Sequence, residues 1–212
     1  MLCHLRTLVP GDWLIQNVAN SAVGQCMRQI GAHLGLWVLN VVRRPDARPA
    51  TPIGQWIVDS GADPAVLQGK VAALTEGAPV RLALDAIGGE ASHALSARLA
   101  DGGLLAVYGL LSGQPCQVST HELVFRGIEV RGFWLASWFA DAGNRDKART
   151  LDPELIAMLE VGKLRMDIKA VYPLAQVHDA LAHAARSHRS GKVLLKGGWM
   201  DRVASAAWAR CL

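Results

Sequence analysis

The chain is short of cysteine, tyrosine and phenylalanine, of long apolar runs, and of any large excess of one charge. Its four cysteines, Cys3, Cys26, Cys116 and Cys211, stand far apart. That spacing builds neither a disulfide framework nor a zinc ribbon. Of the seven histidines, His178, His183 and His188 recur every five residues, so they do not share one helix face, and no H-E-x-x-H is present. No metal site is expected. Twenty-two Lys and Arg face eighteen Asp and Glu, a net charge of +4. Apart from "RRPDAR" at 43–48 the basic residues are scattered, which argues against a nucleic-acid partner. No run of about 18 apolar residues is available to span a bilayer. The first dozen residues lack the apolar centre and small-residue cleavage site of a signal peptide. A cytoplasmic protein with no membrane partner is expected.

What is present is an alternation of apolar runs and helical periods. A length of 212 residues suits one large domain or one and a half. "WLIQNV" at 13–18 reads as a strand. Residues 23–34 carry apolar side chains at Val23, Met27, Ile30 and Leu34, a helical spacing, and Gly35 follows as a C-cap. "LWVLNVV" at 36–42 is a near-continuous apolar run, as in a parallel strand covered on both faces. Further strands are expected at 80–89, 102–109, 127–135 and 192–198. Helices are expected at 54–60, 65–74, 91–100, 153–161 and 176–188. This order predicts an α/β fold, a doubly wound parallel sheet. The tail 199–212 reads as either a short amphipathic helix or a disordered extension.

The turn "NVANSAVG" at 17–24 lies where a dinucleotide-binding fold meets its pyrophosphate. It has one glycine where the fingerprint G-x-G-x-x-G has three. The chemistry asks for small residues that let backbone N–H groups and a helix N-terminus approach an anion. Asn20, Ser21 and Ala22 meet that demand, and Gly24 stands where close helix–sheet packing would ask for glycine. On these residues alone the turn suits a cofactor cradle and a plain βαβ corner equally. After the second strand come Arg43 and Arg44, with no acidic residue at the strand tip; Asp46 lies beyond Pro45. An acid there favours the free 2′-hydroxyl of NAD, and arginine accommodates the 2′-phosphate of NADP. The other reading is two solvated arginines on a loop.

The ordered set "PGDWLIQNVANSAVGQ", "LNVVRRPD", "RLALDAIGG", "LLAVYG", "VRGFWLASWF" and "SGKVLL" resembles the medium-chain dehydrogenase/reductase superfamily. Within it the set is most similar to NADPH-dependent 2-enoyl thioester reductases, over about residues 6–197. The resemblance implies that the glycine-poor turn binds NADPH, with Asn20, Ser21, Ala22 and Val23 lining the pyrophosphate. Arg43 and Arg44 would hold the 2′-phosphate, both remaining candidates because the family loop has an extra residue there. Tyr108, Gly109, Leu110 and Leu111 match the segment that touches the nicotinamide half. Phe133, Trp134, Leu135 and Ala136 match a second such segment, with Ala136 in place of the family's serine. Lys192 matches a lysine that reaches NADPH. Tyr108 and Phe133 have a plainer alternative as core aromatics, and Lys192 as a surface charge.

The resemblance also implies what this chain lacks. The family has a GroES-like catalytic domain before the cofactor domain, and that domain supplies the catalytic tyrosine. The chain starts just before the cofactor domain. Neither Tyr108 nor Tyr172 occupies the catalytic position, so no catalytic residue is assigned. Close relatives are zinc-free. The expected layout is a Rossmann domain at 1–168, a segment at 169–198 that would pack on the missing catalytic domain, and the tail 199–212. Val171, Leu174, Val177 and Leu181 are expected to be exposed. A homodimer by edge pairing of residues 127–135 is expected. The implied activity is reduction of the C=C bond of 2-enoyl thioesters in fatty-acid metabolism, by the intact enzyme. The alternatives are a quinone reductase or alcohol dehydrogenase-like oxidoreductase, and, from another class, a non-catalytic nucleotide-binding module or truncated remnant.

Overall fold

Successive residues of a strand point to opposite faces, so a strand buried on both faces must be apolar throughout. The central strands come close to that condition, with Gln16, Asn40 and Asp85 as buried polar residues among apolar ones. The computed structural model describes residues 2–47, 54–59, 64–186 and 191–197. In chain order the elements begin α1 (Leu2–Leu5), β1 (Trp13–Gln16), α2 (Ala22–His33) and β2 (Trp37–Val42). Next come β3 (Gln55–Val58), α3 (Pro64–Thr75), β4 (Val80–Asp85), α4 (Glu90–Ser96) and β5 (Leu104–Val107). Then follow α5 (Thr120–Phe125), β6 (Glu129–Gly132), α6 (Leu135–Ala140) and α7 (Ala142–Glu160). The last three are β7 (Ile168–Pro173), α8 (Val177–Ala185) and β8 (Lys192–Lys196).

Six parallel strands form one sheet in the order β3-β2-β1-β4-β5-β6. Ile15, Leu39, Ala83 and Leu105 bury into one face with Leu67 and Leu95 of the helices α3 and α4. Their neighbours Leu14, Val38, Leu82 and Leu104 bury into the other, against Leu5, Met27 and Ile30. The expected doubly wound α/β sheet, a Rossmann fold, is the one observed. The strand order reverses between β1 and β4, the place where such sheets open a crevice at the carboxyl ends of their strands. β7 and β8 form a separate two-stranded parallel sheet.

Several elements differ from the sequence-based expectation. Residues 54–60, expected to be helical, instead contain β3, which pairs Gln55–Val58 with Leu39–Val42. A short apolar run fits either state, and the open edge of β2 decides for the strand. The strand expected at 127–135 stops at Gly132, and α6 starts three residues on, at Leu135. β5 ends at Val107, so past the bond from Phe133 N to Val107 O its ladder runs out. The helix expected at 153–161 begins at Ala142, capped by Asp141, whose side chain accepts from Gly143 N. Pro153, taken as a helix start, lies inside it. The helix expected at 91–100 ends at Ser96, and that expected at 176–188 reads Val177–Ala185. α1, α5, α6 and β7 were not expected. The tail 199–212 lies outside the described residues. Among those described, no helix is long and apolar enough to cross a membrane.

Candidate functional site

The β1–α2 turn packs its backbone tightly against the start of α2. Ser21 caps α2, its side chain accepting from Gly24 N at 3.0 Å. The helix start presses onto the turn: a Cβ on Gly24 would lie 2.7 Å from Ala19 Cα and Val18 O, which no side chain tolerates. Val18 takes a positive φ of 49° to make the bend. Behind the turn, buried Gln16 donates from Nε2 to Gly24 O at 2.9 Å and to Asn40 Oδ1 at 2.8 Å. That single amide ties β1, α2 and β2 together. Gln25 donates to Asn20 O at 3.3 Å. In front of the turn is a pocket of about 240 Å³, and Asn20, Ser21, Ala22 and Gln25 form one wall. Met166, Asp167, Gly191 and Lys192 form the other. Val23 is exposed and not part of the lining.

At the tip of β2, Arg44 pairs with Asp46 at 3.3 Å, because a 3₁₀ turn at Pro45–Ala47 brings the acid back. Arg43 is exposed and has no ion-pair partner among the described residues. No acidic side chain stands at the strand end itself.

The crevice between β1 and β4 is locked by Asp85, which is fully buried. Its carboxylate accepts from Asn17 Nδ2 at 2.6 Å, Ile87 N at 2.8 Å, Gly88 N at 3.2 Å and Ser92 Oγ at 2.5 Å. Asn17 Oδ1 accepts in turn from Ala86 N at 2.9 Å. The segment after β5 crosses this loop at close range. A Cβ on Gly109 would stand 2.6 Å from Ala86 O, so glycine is required there. Leu111 N donates to Ala86 O and Ser112 N to Ile87 O. Leu110 and Leu111 are exposed. Tyr108 turns inward and packs on the core cluster. Its hydroxyl is buried with no hydrogen-bond partner. Burial, then the charge of Asp85, pushes its pKa up to about 12.

After β6, Phe133 also packs on the core, while Trp134 is 74 % exposed and leads α6. Both border a second, open cavity of about 570 Å³ that is also lined by His4, Arg131 and Trp138. Leu135 and Ala136 are exposed and outside this lining. Tyr172 is half-buried on β7 and its hydroxyl meets His183 Nδ1 at 2.9 Å. Val171, Leu174 and Leu181 are exposed and Val177 is half-buried.

The structure thus brings Asn20, Ser21, Ala22 and Lys192 into one pocket, and sets Arg43 and Arg44, the 108–111 segment and the Phe133–Trp134 pair past the carboxyl ends of β2, β5 and β6 of the same parallel sheet. Sequence reasoning missed Gln16, Asn17, Gln25 and Asp85. Their signal was available: each is a polar residue within or next to an apolar strand or helix face, and most buried polar groups have partners.

Residues 57–195, more than half of the chain, match the family model described as zinc-binding dehydrogenase. The mitochondrial enoyl-[acyl-carrier-protein] reductase of Homo sapiens is 33% identical over 202 residues, 92% of this chain and 53% of that protein. The chain therefore spans about half the length of such curated relatives. The solved complex of Etr1p with NADP and crotonyl-CoA superposes with a TM-score of 0.75 at 26% identity, covering 92% of this chain and 57% of that one. A quinone oxidoreductase of Pseudomonas syringae gives 0.74 at 25% identity, covering 92% and 59%. Among the described residues no three His, Cys, Asp or Glu side chains converge as metal ligands would. A six-stranded Rossmann sheet, a glycine-dependent turn at its first crossover and this matched sequence have one common explanation: the chain belongs to the medium-chain dehydrogenase/reductase superfamily, close to the enoyl reductases.

Proposed function

We propose that this chain is the NADPH-binding part of an oxidoreductase that reduces the C=C bond of 2-enoyl thioesters. The observation that carries the reading is the pocket between the capped start of α2 and Lys192. The first-turn N–H groups of a helix have no partners within it and its dipole favours an anion. Lys192 adds a positive charge from the opposite wall. A dinucleotide pyrophosphate satisfies both. Bound NADPH supplies the hydride. The protein's own residues hold and orient it: Ser21 and Ala22 at the pyrophosphate, Arg43 at the 2′-phosphate, and the 108–111 and 133–134 segments toward the nicotinamide. Arg43 is the better candidate of the two arginines, since Arg44 is already paired with Asp46.

The layout proposed with it is a cofactor domain at 1–168 and a segment at 169–198 that packs on a catalytic domain. The named activity of the human relative and the crotonyl-CoA in the solved complex support the thioester substrate. The quinone oxidoreductase neighbour supports a second reading, a quinone substrate on the same cofactor. Pairing of β6 with a second copy is proposed as the route to a dimer.

The test is a titration of the purified chain with NADPH and with NADH, followed by tryptophan fluorescence. NADPH is expected to bind more tightly. Arg43→Ala should weaken NADPH about tenfold and NADH little, and Arg44→Ala should do less, the loss being that of a charge-assisted hydrogen bond. No binding of either cofactor by folded protein would overturn the assignment. In a protein carrying this domain with its catalytic partner, NADPH oxidation with crotonyl-CoA but not with a quinone separates the two substrates.

A further inference from the structure

Lys192 belongs to the small sheet, whereas the capped helix it faces belongs to the large one. The two walls of the pocket are joined by glutamines of α2. Gln29 is buried and grips the backbone of Arg165 twice. Its Nε2 donates to Arg165 O at 2.9 Å, and its Oε1 accepts from Arg165 N at 2.8 Å. A carboxamide used in this way imitates a peptide group of a neighbouring strand. One turn earlier, Gln25 Oε1 accepts from Asp167 N at 3.5 Å. Asp167 O then accepts from Lys192 N at 2.7 Å. Gly191 fits under this bond with a φ of +77°, and a Cβ there would lie 2.7 Å from Asp167 O. An unbroken set of hydrogen bonds and backbone thus runs from Gln29 through 165–167 to Lys192.

We infer that Gln29 is a positioning residue for the cofactor pocket, acting through the Arg165–Asp167 backbone to hold Lys192 opposite the N-terminus of α2. The inference rests on the NADPH reading and adds a residue to it. Gln29 is not in the pocket lining, so it acts only through what it holds. Its removal should cost affinity by way of the 165–167 wall of the pocket and the Lys192 that this wall holds.

Gln29→Met keeps the side-chain volume and a good helix former while removing both bonds to Arg165 and the Nε2 bond to Gln25 O at 3.0 Å within α2. NADPH is titrated into the wild type, Gln29→Met, Lys192→Ala and the double variant, each checked for folding by circular dichroism. Lys192→Ala is expected to weaken binding about tenfold, as loss of a charged contact does. Gln29→Met should give a loss of similar size, and the double variant should be no weaker than Lys192→Ala. Gly191→Ala disturbs the same contact from the other side and should give the same loss without touching α2. Amide exchange, read without cofactor, should show the Lys192 N–H less protected in Gln29→Met. Additive losses, or unchanged Lys192 protection, would overturn the inference while leaving the NADPH reading intact. A folded wild type that binds no NADPH would overturn that reading and the inference with it.

Discussion

Tyr108 lies in a segment matched to cofactor contacts, but its side chain turns into the core, which leaves the backbone of the segment and the exposed Leu110 and Leu111 on the outside. Its phenol has a folded-state pKa of about 12, against about 10 when unfolded. The folded state therefore holds the proton more tightly. The associated stability is fully present below pH 10 and is lost as pH rises toward 12, by about 2 kcal/mol. Thermal melts of wild type and Tyr108→Phe, compared from pH 8 to 11.5, should show a shallower alkaline decline for the variant. At neutral pH the variant should be as stable or slightly more so, because the hydroxyl it removes has no partner. Identical alkaline declines would mean that the hydroxyl is solvated.

β1 and β4 are adjacent in the sheet but distant in sequence, and their carboxyl ends are joined by side chains as well as by the ladder. Asp85 collects donors from the turn after β1, from the loop after β4 and from α4. Removing one acceptor strands several buried donors at once, which costs far more than one average hydrogen bond. Asp85→Ala is expected to lower unfolding stability by about 3 kcal/mol. Denaturant unfolding measures it; a loss under about 1 kcal/mol would mean that water replaces the carboxylate. The same network sets the path of 86–89, over which the 109–112 segment crosses, so an element junction and the course of a loop depend on one residue.

The whole molecule leaves two surfaces open. β6 is an edge strand with all four residues exposed. Glu129 N and Phe133 N donate inward to Gly103 O and Val107 O. By strand alternation the N–H of Val130, one residue out of phase, points outward. Such an edge is a ready template for a second chain. The wild type is expected to sediment as a dimer and Val130→Pro as a monomer, since proline removes the outward donor and spares the bonds to β5. A wild-type monomer would overturn edge pairing. The second surface carries Val171, Leu174 and Leu181 on the small-sheet side, and the relatives that match are about twice as long as this chain. The proposed catalytic domain would cover that surface.

The alternation of strands and helices was legible in the sequence because β1, β2, β4 and β5 are apolar on consecutive residues and α2 is apolar at helical spacing. The tight β1–α2 turn was legible because Asn20, Ser21 and Gly24 carry the small-residue chemistry that a close backbone approach requires. Periodicity and capping act over a few residues, and these features are local. Residues 55–58 became a strand only because β2 had an open edge. Pro153 entered a helix interior because that helix starts eleven residues earlier, at an aspartate cap. The inward turn of Tyr108 was decided by the core it meets. The placing of Lys192 depends on Gln29 gripping Arg165, 136 residues away. Such pairings depend on which edges and donors the assembled sheet leaves unsatisfied, and no local pattern encodes that.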